Sequence, residues 1–279
     1  MDDTLVYALE LLSSGISILL MGLCGIQLLA RFVRVLNGRE AANGLRSARR
    51  YAPAAHLAAA AGMGLASRLL VCLLAYALYR LLGVGADGLL ESLEPLWTHW
   101  DTRHYVGIAQ EGYTSVGDER LRLVFFPLYP LLMRLLAPLT SGSVFQSGLL
   151  ISLACSALAS AMVYDLSYLH FGRETAGRSL AYFLLSPLSV FLGCVYTEAL
   201  FICLTLLTVC LLRRERPYAA ALCGMLSAFT RMPGVIVAGL LIIDYLGKIP
   251  QKRSNGRALM ACAAQVAIVF AGFGAYLLV

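Results

Sequence analysis

Residues 57–84 read LAAAAGMGLASRLLVCLLAYALYRLLGV, and Arg68 and Arg80 are their only charges. At ~1.5 Å per residue a helix of this length exceeds the ~30 Å hydrocarbon core of a bilayer. The run lacks the alternation of a barrel strand, so in lipid its backbone groups must be satisfied within a helix. Residues 147–169, SGLLISLACSALASAMVYDLSYL, have the same character. Further apolar runs lie at about 5–30, 179–195, 199–212, 218–230, 234–246 and 258–279. We read an all-α polytopic membrane protein, a single transmembrane domain over 1–279 with one long outer loop at 85–146.

Composition agrees. Apolar residues make up 59% and charged residues 14% of the chain, against about 25% charged in soluble domains. Its mean hydropathy is +0.76. The net charge of +6 comes from 20 Arg and 2 Lys gathered in short connecting loops. No basic face with interleaved aromatics forms, so no nucleic-acid partner is expected. The eight Cys all lie in apolar runs without a CxxC spacing, which suits packing better than a metal or redox site. The N-terminus, MDDTLVYALELLSSG, lacks a basic leader region, so the first run reads as a retained helix. The last run stops without a polar tail, and we expect the chain to be a piece of a longer protein.

Fifteen of the 22 basic residues fall in four segments: 31–56 (six Arg), 170–178 (Arg173, Arg178), 213–217 (Arg213, Arg214, Arg216) and 248–257 (Lys248, Lys252, Arg253, Arg257). The positive-inside rule puts these on the cytoplasmic side, with the loop 85–146 and the turns at 196–198 and 231–233 outside. Residues 124–139, VFFPLYPLLMRLLAPL, are apolar enough to cross, and a crossing there would invert the later turns. Pro127, Pro130 and Arg134 argue instead for an interfacial or re-entrant segment. The runs from 199 to 246 are short, reaching about 20 Å each. Glu198 and Arg231 then sit in turns below the membrane surface, a depth that suits charges lining an outward cavity open sideways to lipid.

The loop carries WDTRHYVGIAQEGY, Trp100 to Tyr113. A helix through it sets Trp97, Asp101, His104 and Ile108 on one face, with His99 off it. Its aromatic residues favour the membrane interface, so Asp101 points at headgroup level or into the cavity; it also reads as a plain helix cap. Glu198 either opens the next helix or touches a ligand. Arg231 either pairs with Glu198 or offers its fork to a phosphate. Arg68, in mid-span, is a functional candidate or the partner of another span's carboxylate. Asp165 and Asp244 read as solvated residues at cytoplasmic helix ends, and His56 and His170 as ordinary boundary residues.

The chain has no HExxH, GxGxxG, Walker or GxSxG pattern, so nucleotide, zinc-protease and serine-hydrolase chemistry find no support. Asp101, Glu111, Asp118 and Glu119 lack a compact ligand spacing; no metal site or cofactor is called for, though a divalent ion bridging a lipid phosphate is compatible. The residues alone leave three classes open: an enzyme acting on a lipid-linked sugar, a transporter or flippase for such lipids, and a noncatalytic scaffold. The lack of an internal repeat counts against the transporter.

Four stretches in order, WDTRHYVGIAQEGY, FFPLYPLL (125–132), YTEALF (196–201) and RRERPY…AFTRMPG (213–234), resemble the GPI mannosyltransferase II (PIG-V) family of multispanning GT-C glycosyltransferases, in a prokaryotic-type form. The resemblance implies a GT-C-like helical bundle whose long outward-facing first loop is catalytic and carries interfacial helices. It implies an inverting transfer of a sugar, mannose by preference, on the non-cytoplasmic face. The donor is a polyprenyl- or dolichyl-phosphate-linked sugar rather than a nucleotide sugar, and the acceptor a lipid or glycan. Asp101 matches the acidic residue of the first outer loop, the proposed base. Glu198 and Arg231 match the YTE and TR positions, and Trp100, Arg103, His104, Tyr105 and Tyr196 join them as expected substrate contacts among the membrane lipids. The chain departs from the pattern in its short length and in the extra run at 5–30. Short loops favour a bacterial plasma membrane over the endoplasmic reticulum membrane.

Overall fold

A computed structural model describes residues 51–82, 88–98, 100–114, 116–248 and 256–277, with Ile26 and Ala30 as isolated helical positions. The chain divides into two compact units, Met1–Arg49 and Arg50–Val279, and the description that follows concerns the second. Apart from Ile26 and Ala30, the run at 5–30 lies outside the described residues, as do the Arg-rich stretch 31–50, His99, Lys252 and Arg253.

The protein is an all-α polytopic membrane protein, with no strand among the described residues. Its helices are α1 (Ala54–Leu81), α2 (Leu89–Trp97), α3 (Thr102–Glu111), α4 (Leu128–Leu136), α5 (Val144–Phe171), α6 (Arg173–Leu185), α7 (Glu198–Arg213), α8 (Pro217–Ala228), α9 (Ala238–Lys248) and α10 (Gly256–Tyr276). Of these, α1, α5 and α10 are by themselves long and apolar enough to cross a membrane.

Helix α5 is the central post, packed by α1, α4, α6 and α7, while α8, α9 and α10 form a second group joined through α7. It starts where Ser143 accepts the Gln146 N–H at 3.2 Å, satisfying one orphan donor of the first turn. It ends at Gly172, whose φ of 83° turns the chain straight into α6; a Cβ would be strained there.

Two runs depart from a straight helix. Residues 179–195 break into α6 and a 3-10 segment, Pro187–Gly193, at an angle of 77°. Pro187 has no N–H for the ladder and pushes Ser186 out of helical geometry (ψ 132°). Residues 118–140 bend by 105° between a 3-10 segment, Asp118–Val124, and α4 with its 3-10 extension, Ala137–Thr140. Both ends of α4 stay at one end of the bundle: Leu128 N–H donates to Phe229 O at 3.2 Å, and Thr140 bonds Ser147 at 2.7 Å.

Arg68 is 1% exposed, and no carboxylate pairs with it among the described residues. Its guanidinium donates to Leu184 O at 2.9 Å and to Ser189 O, the carbonyls freed where α6 breaks. Of the two readings offered for Arg68, a functional residue or the partner of another span's carboxylate, the structure gives neither. It satisfies backbone acceptors that a broken helix leaves within lipid, alongside Ser189 Oγ, which donates to Leu184 O at 2.8 Å.

The two ends of the bundle differ in chemistry. At one end Ala52 N–H donates to Asp165 Oδ1 at 2.9 Å, Asp165 lies 3.8 Å from Arg214, Arg214 stacks over Tyr51, and Tyr51 Oη donates to Arg213 O at 3.1 Å. Asp165, expected in solvent, is 4% exposed. It is held by the Ala52 N–H leading into α1 and by Arg214 of the basic turn after α7, both of which favour a carboxylate. Asp244 pairs with Lys248 at 2.6 Å, an i,i+4 pair within α9. The candidate site occupies the opposite end.

Candidate active site

The site is assembled on α3 and on the turns before α7 and α9. Trp100 takes φ 49°, rare for a bulky residue. This left-handed residue stands just before the Asp101 N-cap of α3. The single face expected over Trp97, Asp101, His104 and Ile108 is therefore divided, with Trp97 closing α2 and the rest belonging to α3. Trp100 itself is 74% exposed.

Asp101 stands at the N-cap position of α3. Its carbonyl accepts from the His104 and Tyr105 N–H groups at 3.0 and 3.1 Å, but its exposed side chain makes no capping bond. The carboxylate is left to line a cleft of about 210 Å³ with Tyr105, Val124, Phe125, Phe126, Thr230, Arg231, Met232 and Pro233. Asp101 and Arg231, distant in sequence, thus face one space.

Arg231 follows α8 in extended geometry (φ −155°, ψ 148°) and starts the 3-10 segment Met232–Val237. Its Nη1 donates to Glu198 Oε1 and, at 3.3 Å, to Thr197 Oγ1. Thr197 Oγ1 in turn meets Tyr105 Oη at 3.3 Å, and Thr102 Oγ1 donates to Val195 O at 3.1 Å. These bonds tie α3 to the turn before α7. Glu198 opens α7 in its first turn, where a carboxylate suits the helix dipole. It does not line the cleft and reaches it only through Arg231.

The other predicted contacts take separate places. Tyr105 is buried at the cleft wall, and burial pushes its pKa up to about 12, so it stays a neutral hydroxyl. Tyr196, also buried, interacts with Thr102 and the Asp101 backbone; burial, then the Asp101 charge, raises its pKa. Arg103 and His104 bond each other at 3.3 Å outside the cleft lining. His104 stacks on Phe125 with ring centres 4.7 Å apart. Burial lowers its pKa, and the Arg103 cation adds to the shift.

Sequence reasoning missed the residues that hold α3. Arg122 lies across Gly107, where a Cβ would meet its guanidinium carbon at 2.6 Å. It pairs with Glu111 at 2.6 Å and with Glu119. Arg134 of α4 donates to Ala109 O at 2.7 Å and Gln110 O at 2.8 Å, placing a cation at the C-terminus of α3. Tyr113 Oη donates to Phe125 O at 2.6 Å, and Phe126 stacks on Tyr276 at 4.1 Å. The only sequence signal was Arg134 interrupting an apolar run. Among the described residues no group of three His, Cys, Asp or Glu is placed to hold a metal ion.

A family profile described as mannosyltransferase (PIG-V) matches residues 83–274. The chain is 35% identical over 168 residues to GPI alpha-1,6-mannosyltransferase 2 of Mus musculus, covering 56% of this chain and 33% of that protein. It is 35% identical over 167 residues to the Rattus norvegicus protein of the same name and 34% identical over 167 residues to that of Homo sapiens, with the same two coverages. The match spans about a third of the length of these curated relatives. No solved structure matches the chain. With the profile matching 83–274, from the loop that carries Asp101 through the last helix, the chain belongs to the mannosyltransferase (PIG-V) family.

Proposed function

We propose that the protein transfers mannose, with inversion, from a polyprenyl- or dolichyl-phosphate donor to a lipid or glycan acceptor on the non-cytoplasmic face of its membrane. That face is the outer side of a bacterial plasma membrane or the lumenal side of the endoplasmic reticulum. The observation that carries the reading is the cleft that a carboxylate without a capping bond, Asp101, shares with a cation, Arg231.

The chemistry follows from the two groups. The acceptor hydroxyl attacks the anomeric carbon, and the bond from that carbon to the phosphate oxygen breaks. Asp101 takes the hydroxyl proton, a contribution of roughly 10²–10⁴-fold for a placed general base. Arg231 binds the lipid phosphate as negative charge builds on it, and fixed charge of this kind acts without reorganisation. Inversion needs one carboxylate at the acceptor; retention needs a second acting as nucleophile about 5 Å away. Glu198 stands behind Arg231 and outside the cleft lining, which supports the inverting course. Tyr105, neutral at physiological pH, is a hydrogen-bonding wall. Trp100 and Met232, 74% and 68% exposed, are suited to the headgroup layer beside the prenyl chain.

The test is sugar transfer from radiolabelled polyprenyl-phosphate-mannose in membranes holding the protein, beside Asp101→Asn at equal expression. Loss of turnover in the variant is expected. Near-normal transfer by Asp101→Asn removes Asp101 as the base.

A further inference from the structure

We propose that Glu198, with Thr197, is a positioning residue that sets the plane of the Arg231 guanidinium and does not itself bind sugar. The inference rests on the reading of Arg231 as the phosphate-binding cation. A guanidinium carries five N–H donors in one plane, two of them on Nη1. Among the described residues, both side-chain bonds of Arg231 leave from Nη1, one to Glu198 Oε1 and one to Thr197 Oγ1. Two acceptors on one nitrogen fix the rotation of the plane. They leave the Nε and Nη2 donors unengaged among the described residues, and this pair forms the edge that takes two phosphate oxygens side by side.

Placement outside the cleft lining separates this role from direct contact. Among the described residues Glu198 Oε2 is buried without a hydrogen-bond partner, and Glu198 is absent from the lining of the cleft that Arg231 borders. The side chain of Glu198 is 30% exposed and that of Arg231 36%. A carboxylate so close to a phosphate-binding cation works against anion affinity. Its effect on the reaction is therefore geometric: it costs ground-state attraction and holds the fork where charge develops.

This makes an asymmetric prediction. Glu198→Gln keeps the shape and removes the negative charge, so the donor binds more tightly and KM falls. Gln still offers an oxygen to Nη1 but gives up the ion pair, so the fork is held less firmly, and kcat falls on the order of 10- to 100-fold, up to the scale of a 1 Å misplacement. A residue binding the sugar directly gives the opposite split, a raised KM.

The experiment is a double-mutant cycle in membranes holding the full chain. Turnover is scored as sugar leaving radiolabelled polyprenyl-phosphate-mannose for wild type, Glu198→Gln, Arg231→Gln and the double variant. If Glu198 acts through Arg231, the double variant equals Arg231→Gln alone. If the two losses multiply, or if KM rises in Glu198→Gln, the inference is overturned while the phosphate reading stands. Full activity in Arg231→Gln, or no turnover by wild type, removes the phosphate reading and the inference with it. Should Glu198→Gln accumulate poorly, Thr197→Val supplies the same cycle, since it deletes the second Nη1 acceptor at nearly constant volume. Its loss is then present beside Arg231 and absent beside Arg231→Gln; a loss of the same size in both backgrounds overturns the inference.

Discussion

Gly234→Ala tests whether the turn carrying Arg231 has any freedom. A Cβ at Gly234 would stand 2.2 Å from Ser227 O, 2.3 Å from Ser227 C and 2.4 Å from Ala228 N, where 3.4 Å begins ordinary contact. All three atoms are backbone at the end of α8, so no side chain can rotate aside. The shortfall of about 1 Å must be taken up by moving the segment Met232–Val237 away from α8. Arg231 is pulled with it, because Gly234 N–H donates to Arg231 O at 2.9 Å, and the Arg231 N–H bond to Ser227 O at 3.2 Å on α8 has to lengthen. A shift of that size breaks the 3.3 Å bond to Thr197 and withdraws the guanidinium from the cleft. The expected cost is about 1–3 kcal/mol of stability from overpacking and roughly 10²-fold in turnover from misplacement. The control is Gly239→Ala in α9, where a Cβ meets nothing within 4 Å. There the exchange stabilises by up to about 1 kcal/mol through helix propensity and leaves turnover unchanged. The assays are thermal unfolding in detergent and sugar transfer in membranes at matched expression. Turnover by Gly234→Ala within about threefold of wild type refutes the reasoning, because a backbone clash that the site absorbs cannot be positioning Arg231.

Other perturbations probe the supports. Gly107→Ala pushes aside the flexible end of Arg122 and opens its 2.6 Å pair with Glu111. A loss of about 1 kcal/mol is expected, less than at Gly234, and an unchanged melting temperature counts against the clamp. Asp165→Ala strips the acceptor from Ala52 N–H; thermal unfolding is expected to show a loss of about 1–3 kcal/mol, and no loss means that end of the bundle is held by other contacts. His104 supplies a pH dependence: its folded pKa lies below 6.5 through burial and the Arg103 cation. The unfolded chain takes the proton first, so the contribution is complete above pH 6.5 and is lost as pH falls through the folded value. Melting temperature should drop between about pH 7 and about pH 5, and His104→Phe should flatten that slope; an equal slope in the variant assigns the effect elsewhere.

How much was legible follows from where each cause lies. The runs at 57–84 and 147–169 read as helices because backbone in lipid has no other partner than itself, so composition and length suffice. Pro127, Pro130 and Arg134 argued against a straight crossing at 124–139, and the chain breaks beside Pro127, whereas Pro130 is taken into the first turn of α4. Four local stretches in order, WDTRHYVGIAQEGY, FFPLYPLL, YTEALF and RRERPY…AFTRMPG, pointed to the family because each is contiguous in the chain.

The sequence by itself therefore determined the helical membrane class and the family. Only the tertiary structure decided what the charges do. Arg68 satisfies the carbonyls of a broken helix, Asp165 is buried at the start of α1, Arg122 lies across Gly107, and Arg231 meets both Glu198 and the cleft of Asp101. The physical reason is that a helix is specified by bonds three or four residues apart, whereas a charge in a low-dielectric bundle is specified by whichever partner packing brings within about 3 Å. That partner lies on another helix and leaves no mark on the neighbouring sequence.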